Sequence, residues 1–267
     1  AGVSIFCDEW GSAAYHQQRE KPVREQIQIN REAIRKRYRA EKFLIYFQAY
    51  TNTFGRFREL EYFYKEALKE KDVVGIVVGT RPDCLPKRVL QKFSEIAQEN
   101  YLSVELGVQT FDDAQLQFLS RGHDSASSLK AIRKLKTLPD INLCVHLMFG
   151  LPDETDAQIR KTAEILSEQK VDGVKLHNLH VLRNTPLEKL YRESRFKPVD
   201  LEEYSRKVAL FLENLSPKIA VHRLAAVASR WDELVAPQWT REKMKTTQFI
   251  DDFLAAKETW QGRCFEV

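Results

Sequence analysis

The sequence predicts an α/β protein: a partial (β/α)6 TIM-like barrel with parallel strands and a helical C-terminal extension. The main observation is an alternation of short β-branched runs with longer amphipathic segments, which is typical of strand–helix units around a parallel sheet. The second is size and composition. The chain has 267 residues, 43% hydrophobic and 30% charged, which suits a single barrel with an ordinary globular core.

The alternation gives six strands, which are predicted at Phe43–Phe47, Val73–Val78, Tyr101–Val108, Ile141–Leu147, Val171–Leu176 and Lys218–Arg223. Pro86 suits a first helical turn, and Asp124 can cap the helix that follows it. The predicted helices are Val23–Arg39, Arg56–Glu70, Pro86–Gln98, Asp112–Leu119, Ser125–Lys136, Thr155–Glu168, Leu201–Leu215 and Arg241–Trp260. The alternation weakens from about Val199, so we expect residues 1–198 to form the barrel core and residues 199–267 to form an extension packed on it.

Charge and cysteine content narrow the class of protein. The net charge of +4 allows an anionic substrate without requiring nucleic acid, and the basic run from Arg31 to Lys42 fits the solvated face of a helix. No apolar run approaches the ~20 residues of a membrane span, so we expect no membrane association. The four cysteines are too scattered for a disulfide framework, which favours a cytoplasmic protein. Because the chain starts with Ala1 at a cysteine-bearing loop, we expect an N-terminal piece to precede it.

Polar side chains occur at the carboxyl ends of the predicted strands, where parallel barrels carry their functional groups. Each predicted strand contributes to this rim. The residues in these strand-end segments are Gln48, Ala49, Tyr50, Thr51, Asn52, Arg81, Asp83, Glu105, Gln109, His146, Gly150, Lys175, His177 and His180. As a set they predict a ligand site. Singly, His146 also fits a buried core histidine, and Arg81 with Asp83 also fits a structural ion pair.

Several motifs occur in an order that resembles a known family. They are the segments 5–12 (IFCDEWGS), 46–53 (YFQAYTNT), 79–86 (GTRPDCLP), 104–111 (VELGVQTF), 121–123 (RGH), 146–155 (HLMFGLPDET) and 175–181 (KLHNLHV). Together they resemble the radical S-adenosylmethionine superfamily, and within it the YhcC/YtqA-type group. This group is related to the elongator catalytic subunit and to oxygen-independent coproporphyrinogen oxidase.

The resemblance implies a 4Fe-4S cluster held by three cysteines, with one iron open to S-adenosylmethionine. Of the cysteine triad, this sequence contains Cys7. Ser4 occupies the position expected for the second cysteine, and the first is expected before Ala1. A serine hydroxyl is a poor replacement for a thiolate ligand.

The resemblance also assigns roles around S-adenosylmethionine. It places the loop from Gln48 to Asn52 near the methionine amino group, Arg121 at the carboxylate and Gln109 at the ribose. Glu105 fits the ribose site too, and as a strand residue it equally fits a contact with a structural partner. The backbone from Leu147 to Gly150 is placed beside the adenine, next to His146 at a position where relatives often have an acidic residue. Substrate contacts are expected from Arg81, Asp83, His123, Lys175, His177, His180, His222 and Arg223. His177 and His180 could suggest zinc, but no third ligand stands at a supporting spacing.

The sequence thus predicts an enzyme that reductively cleaves S-adenosylmethionine to a 5′-deoxyadenosyl radical acting on an unidentified small molecule or nucleoside. A reductant such as flavodoxin or ferredoxin is implied. One alternative is a barrel without a cluster that binds S-adenosylmethionine or a partner and performs no radical chemistry. A second is an enzyme that modifies RNA or a nucleoside, against which the modest charge counts. The oligomeric state is not predicted.

Overall fold

The computed structural model describes residues 4–6, 21–48, 50–228 and 232–266. Its strands are β1 (Phe43–Phe47), β2 (Val73–Thr80), β3 (Tyr101–Gln109), β4 (Ile141–Phe149), β5 (Gly173–Asn178), β6 (Val181–Leu182), β7 (Ala220–Arg223) and β8 (Leu234–Ala236). Six of them form one parallel sheet in the order β1-β2-β3-β4-β5-β7, while β6 and β8 form a separate antiparallel pair. All six predicted strands are therefore present in the sheet.

The helices are α1 (Val23–Tyr38), α2 (Phe57–Leu68), α3 (Lys87–Ala97), α4 (Asp113–Phe118), α5 (Ser125–Lys136), α6 (Asp156–Glu168), α7 (Pro186–Arg192), α8 (Leu201–Asn214) and α9 (Lys243–Ala256). As predicted, Asp124 caps α5, because its carboxylate accepts a hydrogen bond from the Ser127 amide at 2.8 Å. Thr155 and Gln158 form a capping box at the start of α6. Within the described ranges, no helix is long and apolar enough to cross a membrane.

The two faces of the sheet differ in chemistry because side chains alternate along each strand. On β4, Leu143, Val145 and Leu147 are fully buried in the main hydrophobic core between the sheet and its helices. The intervening positions, which include Cys144 and His146, lie on the opposite, concave face. Burying each aliphatic side chain against the helices stabilises the fold by roughly 1.5–3 kcal/mol.

The sheet curls into a half-barrel, as contacts across its concave face show. Strands lie about 4.8 Å apart, so β1 and β5 would be roughly 19 Å apart in a flat sheet. Lys175 Nζ on β5 is nevertheless 5.0 Å from the ring centroid of Tyr46 on β1. This geometry confirms the predicted partial barrel. We call its concave side the lumen, defined by Tyr46, Glu105, Cys144, His146, Lys175, His177 and Arg223.

The last third of the chain continues this architecture. Helix α8 packs against α6 and β4, and β7 pairs with β5 as the sixth strand of the sheet. The predicted extension therefore includes a barrel strand as well as helices α8 and α9. The short elements α7, β6 and β8 are not among the elements predicted from the sequence.

Candidate functional site

The centre of the lumen is the carboxylate of Glu105, a β3 residue that is only 4% exposed. Its Oε2 accepts hydrogen bonds from Tyr46 Oη at 2.5 Å and from His146 Nε2 at 2.6 Å. Its Oε1 accepts a hydrogen bond from Lys175 Nζ. Residues of three other strands, β1, β4 and β5, therefore converge on one buried carboxylate of β3.

These contacts fix the charge of Glu105. Burial by itself raises the pKa of the carboxyl, but hydrogen bonds from His146, Lys175 and Tyr46 outweigh it and lower that pKa to about 2. Burial lowers the pKa of His146 despite the neighbouring carboxylate, so its imidazole is neutral. Burial also raises the pKa of Tyr46, which keeps its hydroxyl protonated and able to donate. Glu105 and Lys175 thus form a charged pair inside a network of neutral donors.

A second polar group lies beside this network on β5 and β7, towards the carboxyl end of β5. Arg223 Nη2 donates a hydrogen bond to His177 Nε2, and Arg223 Nε donates to the Leu176 carbonyl at 3.3 Å. The His177 ring lies 5.6 Å from the His146 ring, which connects this group to the Glu105 network. Burial lowers the pKa of His177 well below its ordinary value, so it accepts from Arg223 as a neutral ring. Burial likewise lowers the pKa of His180 to about 4.

Arg121 stands at the rim above β3. Its Nη2 donates to the Gly107 carbonyl at 3.0 Å, and its Nη1 donates to Ser4 Oγ at 3.0 Å. A side chain at Gly107 would place a Cβ 3.1 Å from both Arg121 Nη2 and Gln109 Nε2, so glycine makes room for these two groups. Gln109 ends β3 and is 8% exposed. The two residues assigned to the cofactor's carboxylate and ribose are therefore neighbours.

The loop after β1 is fastened to β2 by Asn52. Its Nδ2 donates to the Phe47 carbonyl at 2.8 Å and to the Gly79 carbonyl at 3.1 Å, while Tyr64 Oη donates to the Asn52 carbonyl at 2.5 Å. The amide nitrogen of Asn52 thus holds two strand ends together, a structural role that the sequence did not reveal. Of the other residues predicted for this loop, the structure describes Gln48, Tyr50 and Thr51 but not Ala49.

The residues after β2 form the local ion pair that was one of the two sequence interpretations. Arg81 binds Asp83 through two hydrogen bonds of 2.9 and 2.8 Å. His123 lies beside them, with Nδ1 at 4.0 Å from Asp83 Oδ1 and no exposed side-chain surface. Burial and the nearby Arg121 guanidinium lower the pKa of His123, so its ring is neutral. These three predicted substrate residues occupy the rim near Arg121 and are separate from the lumen network.

The loop after β4 is held from beneath by a buried ion pair that was not among the predicted site residues. Glu154 Oε2 accepts the Gly150 amide at 2.9 Å and lies 3.2 Å from Lys207 Nζ on α8. Gly150 has φ +82°, and a Cβ there would lie 2.8 Å from Val199 Cγ2, so the turn requires glycine. Three residues earlier, on β4, Leu147 packs its side chain into the core on the helix side of the sheet, so only its backbone faces the rim.

One predicted substrate residue lies away from the rim. The His222 ring packs over Gly173, the first residue of β5, where a Cβ would approach His222 Nε2 to 2.6 Å. Conversely, sequence analysis did not select Tyr46, which completes the Glu105 network. The alternation along β1 places Tyr46 opposite the core-packed Ile45 and Phe47, and that signal would have found it.

The described residues do not by themselves form the cluster site that the resemblance implies. Cys7 lies outside the described residues, and Ser4 Oγ is already bound by Arg121. In the ranges that the structure describes, no group of three or more His, Cys, Asp or Glu could hold a metal ion. Cys84 and Cys144 are buried free thiols, and burial raises the pKa of Cys144 to about 12.

The curled parallel sheet, its polar rim and its charged lumen define a half-barrel protein that gathers polar side chains at the carboxyl ends of its strands. The chain belongs to the Radical SAM superfamily, whose family model matches residues 5–166. The Radical_SAM C-terminal domain model matches residues 171–256. Protein YhcC of Escherichia coli K12 is 34% identical over 254 residues, which are 95% of this chain and 80% of YhcC. This confirms the resemblance to the YhcC/YtqA-type group.

Solved structures show the same fold. Elp3 of Methanocaldococcus infernus superposes with a TM-score of 0.76 at 18% identity, over 90% of this chain and 60% of the Elp3 chain. SuiB of Streptococcus suis, in a structure bound to S-adenosylmethionine, gives a TM-score of 0.58 at 15% identity. That match covers 88% of this chain and 52% of SuiB. At these identities the likeness concerns the fold alone.

Proposed function

We propose that this protein binds S-adenosylmethionine at the rim and uses it for radical chemistry on a substrate held in the lumen. The observation that carries the proposal is the juxtaposition of two polar regions along β3. Gln109 and the Arg121 acceptor Gly107 lie at the rim, and Glu105 with its network lies in the lumen on the same strand. Two adjacent regions of this kind suit two ligands that must meet.

The residues at the rim would bind and orient S-adenosylmethionine. A guanidinium can bind a carboxylate through two hydrogen bonds, so Arg121 suits the methionine carboxylate. The Gln109 amide offers a donor and an acceptor, which a ribose diol requires. Membership of the superfamily supports these assignments. The half-barrel wall would exclude water from a reactive intermediate.

Reductive cleavage of S-adenosylmethionine requires a thiolate-held 4Fe-4S cluster and a reductant such as flavodoxin or ferredoxin. Cys7 is the cluster ligand that this chain offers.

A second candidate function is binding of S-adenosylmethionine without a cluster. One observation favours it: Ser4 stands where the second cysteine is expected, is 5% exposed, and is hydrogen-bonded to Arg121. The backbone of the next residue, Ile5, is also held, since its amide donates to the Leu119 carbonyl at 3.2 Å and the Leu187 amide donates to its carbonyl at 3.0 Å. A serine packed in this way is part of the rim.

The deciding experiment measures three quantities on full-length protein reconstituted anaerobically with iron and sulfide. These are the bound iron, the affinity for S-adenosylmethionine by calorimetry, and the 5′-deoxyadenosine released after reduction. Cys7→Ala is the test variant, and Cys264→Ala is the matched control because Cys264 is an exposed free cysteine. Radical chemistry predicts cluster iron and 5′-deoxyadenosine that are lost in Cys7→Ala and retained in Cys264→Ala.

Binding of S-adenosylmethionine with neither cluster iron nor 5′-deoxyadenosine would refute the first proposal and support the second. Absence of S-adenosylmethionine binding in the folded protein would refute both.

A further inference from the structure

The lumen contains more positive than negative charge among the residues that the structure describes. Its fixed charges are the carboxylate of Glu105, the ammonium of Lys175 and the guanidinium of Arg223. Glu105 and Lys175 form an ion pair whose side chains are 5% and 19% exposed. Because His146 and His177 are held neutral by burial, they add no charge. The guanidinium of Arg223 is therefore the uncompensated charge of this group.

The contacts of Arg223 leave it without an anionic partner in the described part of the chain. Its two hydrogen bonds go to a neutral imidazole, His177, and to the Leu176 carbonyl. Glu105 forms no ion pair with Arg223, since its carboxylate oxygens accept their hydrogen bonds from Tyr46, His146 and Lys175. Burial lowers the pKa of Arg223, which is the expected sign for a desolvated cation.

Arg223 is half-buried, and withdrawing a charge even partly from water without a counter-charge is unfavourable, so such arginines are ordinarily paired. Two further features indicate that the partner is a ligand. His177 orients the guanidinium by accepting from one Nη, and a guanidinium has five N–H donors, of which two are used here. The remaining donors are suited to an oxyanion, which guanidinium binds through parallel hydrogen bonds.

We propose that the lumen binds an oxyanion group of the substrate, a carboxylate or a phosphate, and that Arg223 is its main ligand. The inference rests on the proposed function in one respect, because it takes the lumen to be the place where the substrate binds. It specifies the substrate class as a small molecule with at least one such group. Lys175 is paired in register with Arg223 between β5 and β7, and because Glu105 compensates its charge, the guanidinium supplies the net positive charge here.

The test uses inorganic phosphate and acetate as probes, with acetamide as the uncharged analogue of acetate. Binding to the full-length protein is measured by calorimetry for wild type, Arg223→Gln and Arg223→Lys. Arg263→Gln is the matched control, because Arg263 lies over the exposed Trp260 ring at 5.5 Å. We expect wild type and Arg263→Gln to bind at least one anion and not acetamide. Affinity should fall at least tenfold in Arg223→Gln and be partly restored in Arg223→Lys.

A preference for phosphate over acetate, or the reverse, identifies which oxyanion the site takes. Equal anion binding by wild type and Arg223→Gln would overturn the inference, as would equal binding of acetate and acetamide. Neither result depends on 5′-deoxyadenosine formation. Anion binding at Arg223 without that product therefore refutes only the proposed function, and the product without anion binding refutes only the inference.

A second measurement covers the case in which Arg223→Gln does not fold. The wild-type protein is labelled with ¹³C-histidine, and the His177 resonance is assigned with His177→Gln. Because His177 Nε2 is bonded to Arg223, an anion on the guanidinium should move this resonance during a phosphate or acetate titration. A His177 resonance that stays fixed up to saturating concentrations of both anions would contradict the inference.

Discussion

Replacing Glu105 by glutamine tests whether its negative charge holds the lumen together. The substitution keeps the size of the side chain and one carbonyl oxygen able to accept from Tyr46 Oη, which now lies 2.5 Å from Oε2. It removes the charge that compensates Lys175 and, with the carbonyl oxygen at the Oε2 position, turns the amide donor towards the Lys175 ammonium, which also donates. We therefore expect a loss of stability without a change of fold.

The magnitude follows from the pKa of Glu105, which is about 2 in the folded protein against an ordinary value of 4.5. This difference corresponds to about 3 kcal/mol in favour of the ionised form. Breaking a buried ion pair by removing one partner typically costs about 3–5 kcal/mol, and the 19% exposure of Lys175 favours the lower end. For a chain of this size, about 3 kcal/mol lowers Tm by roughly 6–12 °C.

The same reasoning gives a pH dependence for the wild-type protein. Because the pKa of Glu105 is lower in the folded state than in the unfolded state, its stabilisation is fully present above about pH 4.5. It is lost as the pH falls from there towards 2. Urea unfolding at pH 7 and at steps down to pH 3 should show this contribution in wild type. In Glu105→Gln it should be missing, so the two proteins converge in stability as the pH falls.

Glu164→Gln serves as the control for charge removal. Glu164 forms an ion pair with Lys161 at 3.2 Å, and both side chains are more than half exposed, at 52% and 62%. Its loss should change stability by no more than about 0.5 kcal/mol. The reasoning is refuted if Glu105→Gln lowers the free energy of unfolding as little as Glu164→Gln does. It is also refuted if the difference in unfolding free energy between wild type and Glu105→Gln is the same at every pH.

Three further predictions concern the rim. Gly150→Ala should lower the free energy of unfolding, measured in urea, by about 1–3 kcal/mol, because alanine is strained at φ +82° and its Cβ would lie 2.8 Å from Val199. An unchanged unfolding midpoint would contradict this. Lys207→Met should cost about 3–5 kcal/mol, since it leaves the 4%-exposed Glu154 carboxylate without its ion-pair partner, and combining it with Glu154→Gln should recover part of the loss. Arg121→Gln should weaken S-adenosylmethionine binding at least tenfold by calorimetry, whereas an undiminished affinity would remove Arg121 from the proposed site.

The sequence allowed prediction of the sheet because each strand carries a strong local signal. β-Branched runs and helical segments alternate in step with the fold, and the six predicted strands all pair in the expected parallel sheet. Strands β6 and β8 contain only two and three residues, so their pairing depends on tertiary contact and leaves almost no local pattern. Helix α7 has seven residues, too few for a clear amphipathic period.

The candidate site was predictable in composition but not in connectivity. Residues at strand ends can be listed from the sequence, because the carboxyl ends of parallel strands share one rim. Which of them meet depends on how far the sheet curls. Tyr46 and Lys175 approach each other across the lumen although three strands separate theirs. Asn52 lies in the loop where a ligand contact was expected, but its side-chain amide donates both hydrogen bonds to carbonyls at strand ends.

The strand register relates the two proposed ligand positions to each other. Arg223 pairs in register with Lys175, Lys175 with His146, and the next residue of β4, Leu147, with Gln109. One residue along a strand is about 3.3 Å, so in the pairing register Arg223 and Gln109 differ by about one residue along the strands. An oxyanion bound at Arg223 and a ribose held at Gln109 would therefore lie at neighbouring register positions of the same sheet. Gln109 and Arg223 lie on different strands and share no hydrogen bond. A substitution at Gln109 should therefore weaken cofactor binding, and one at Arg223 substrate binding, each independently of the other.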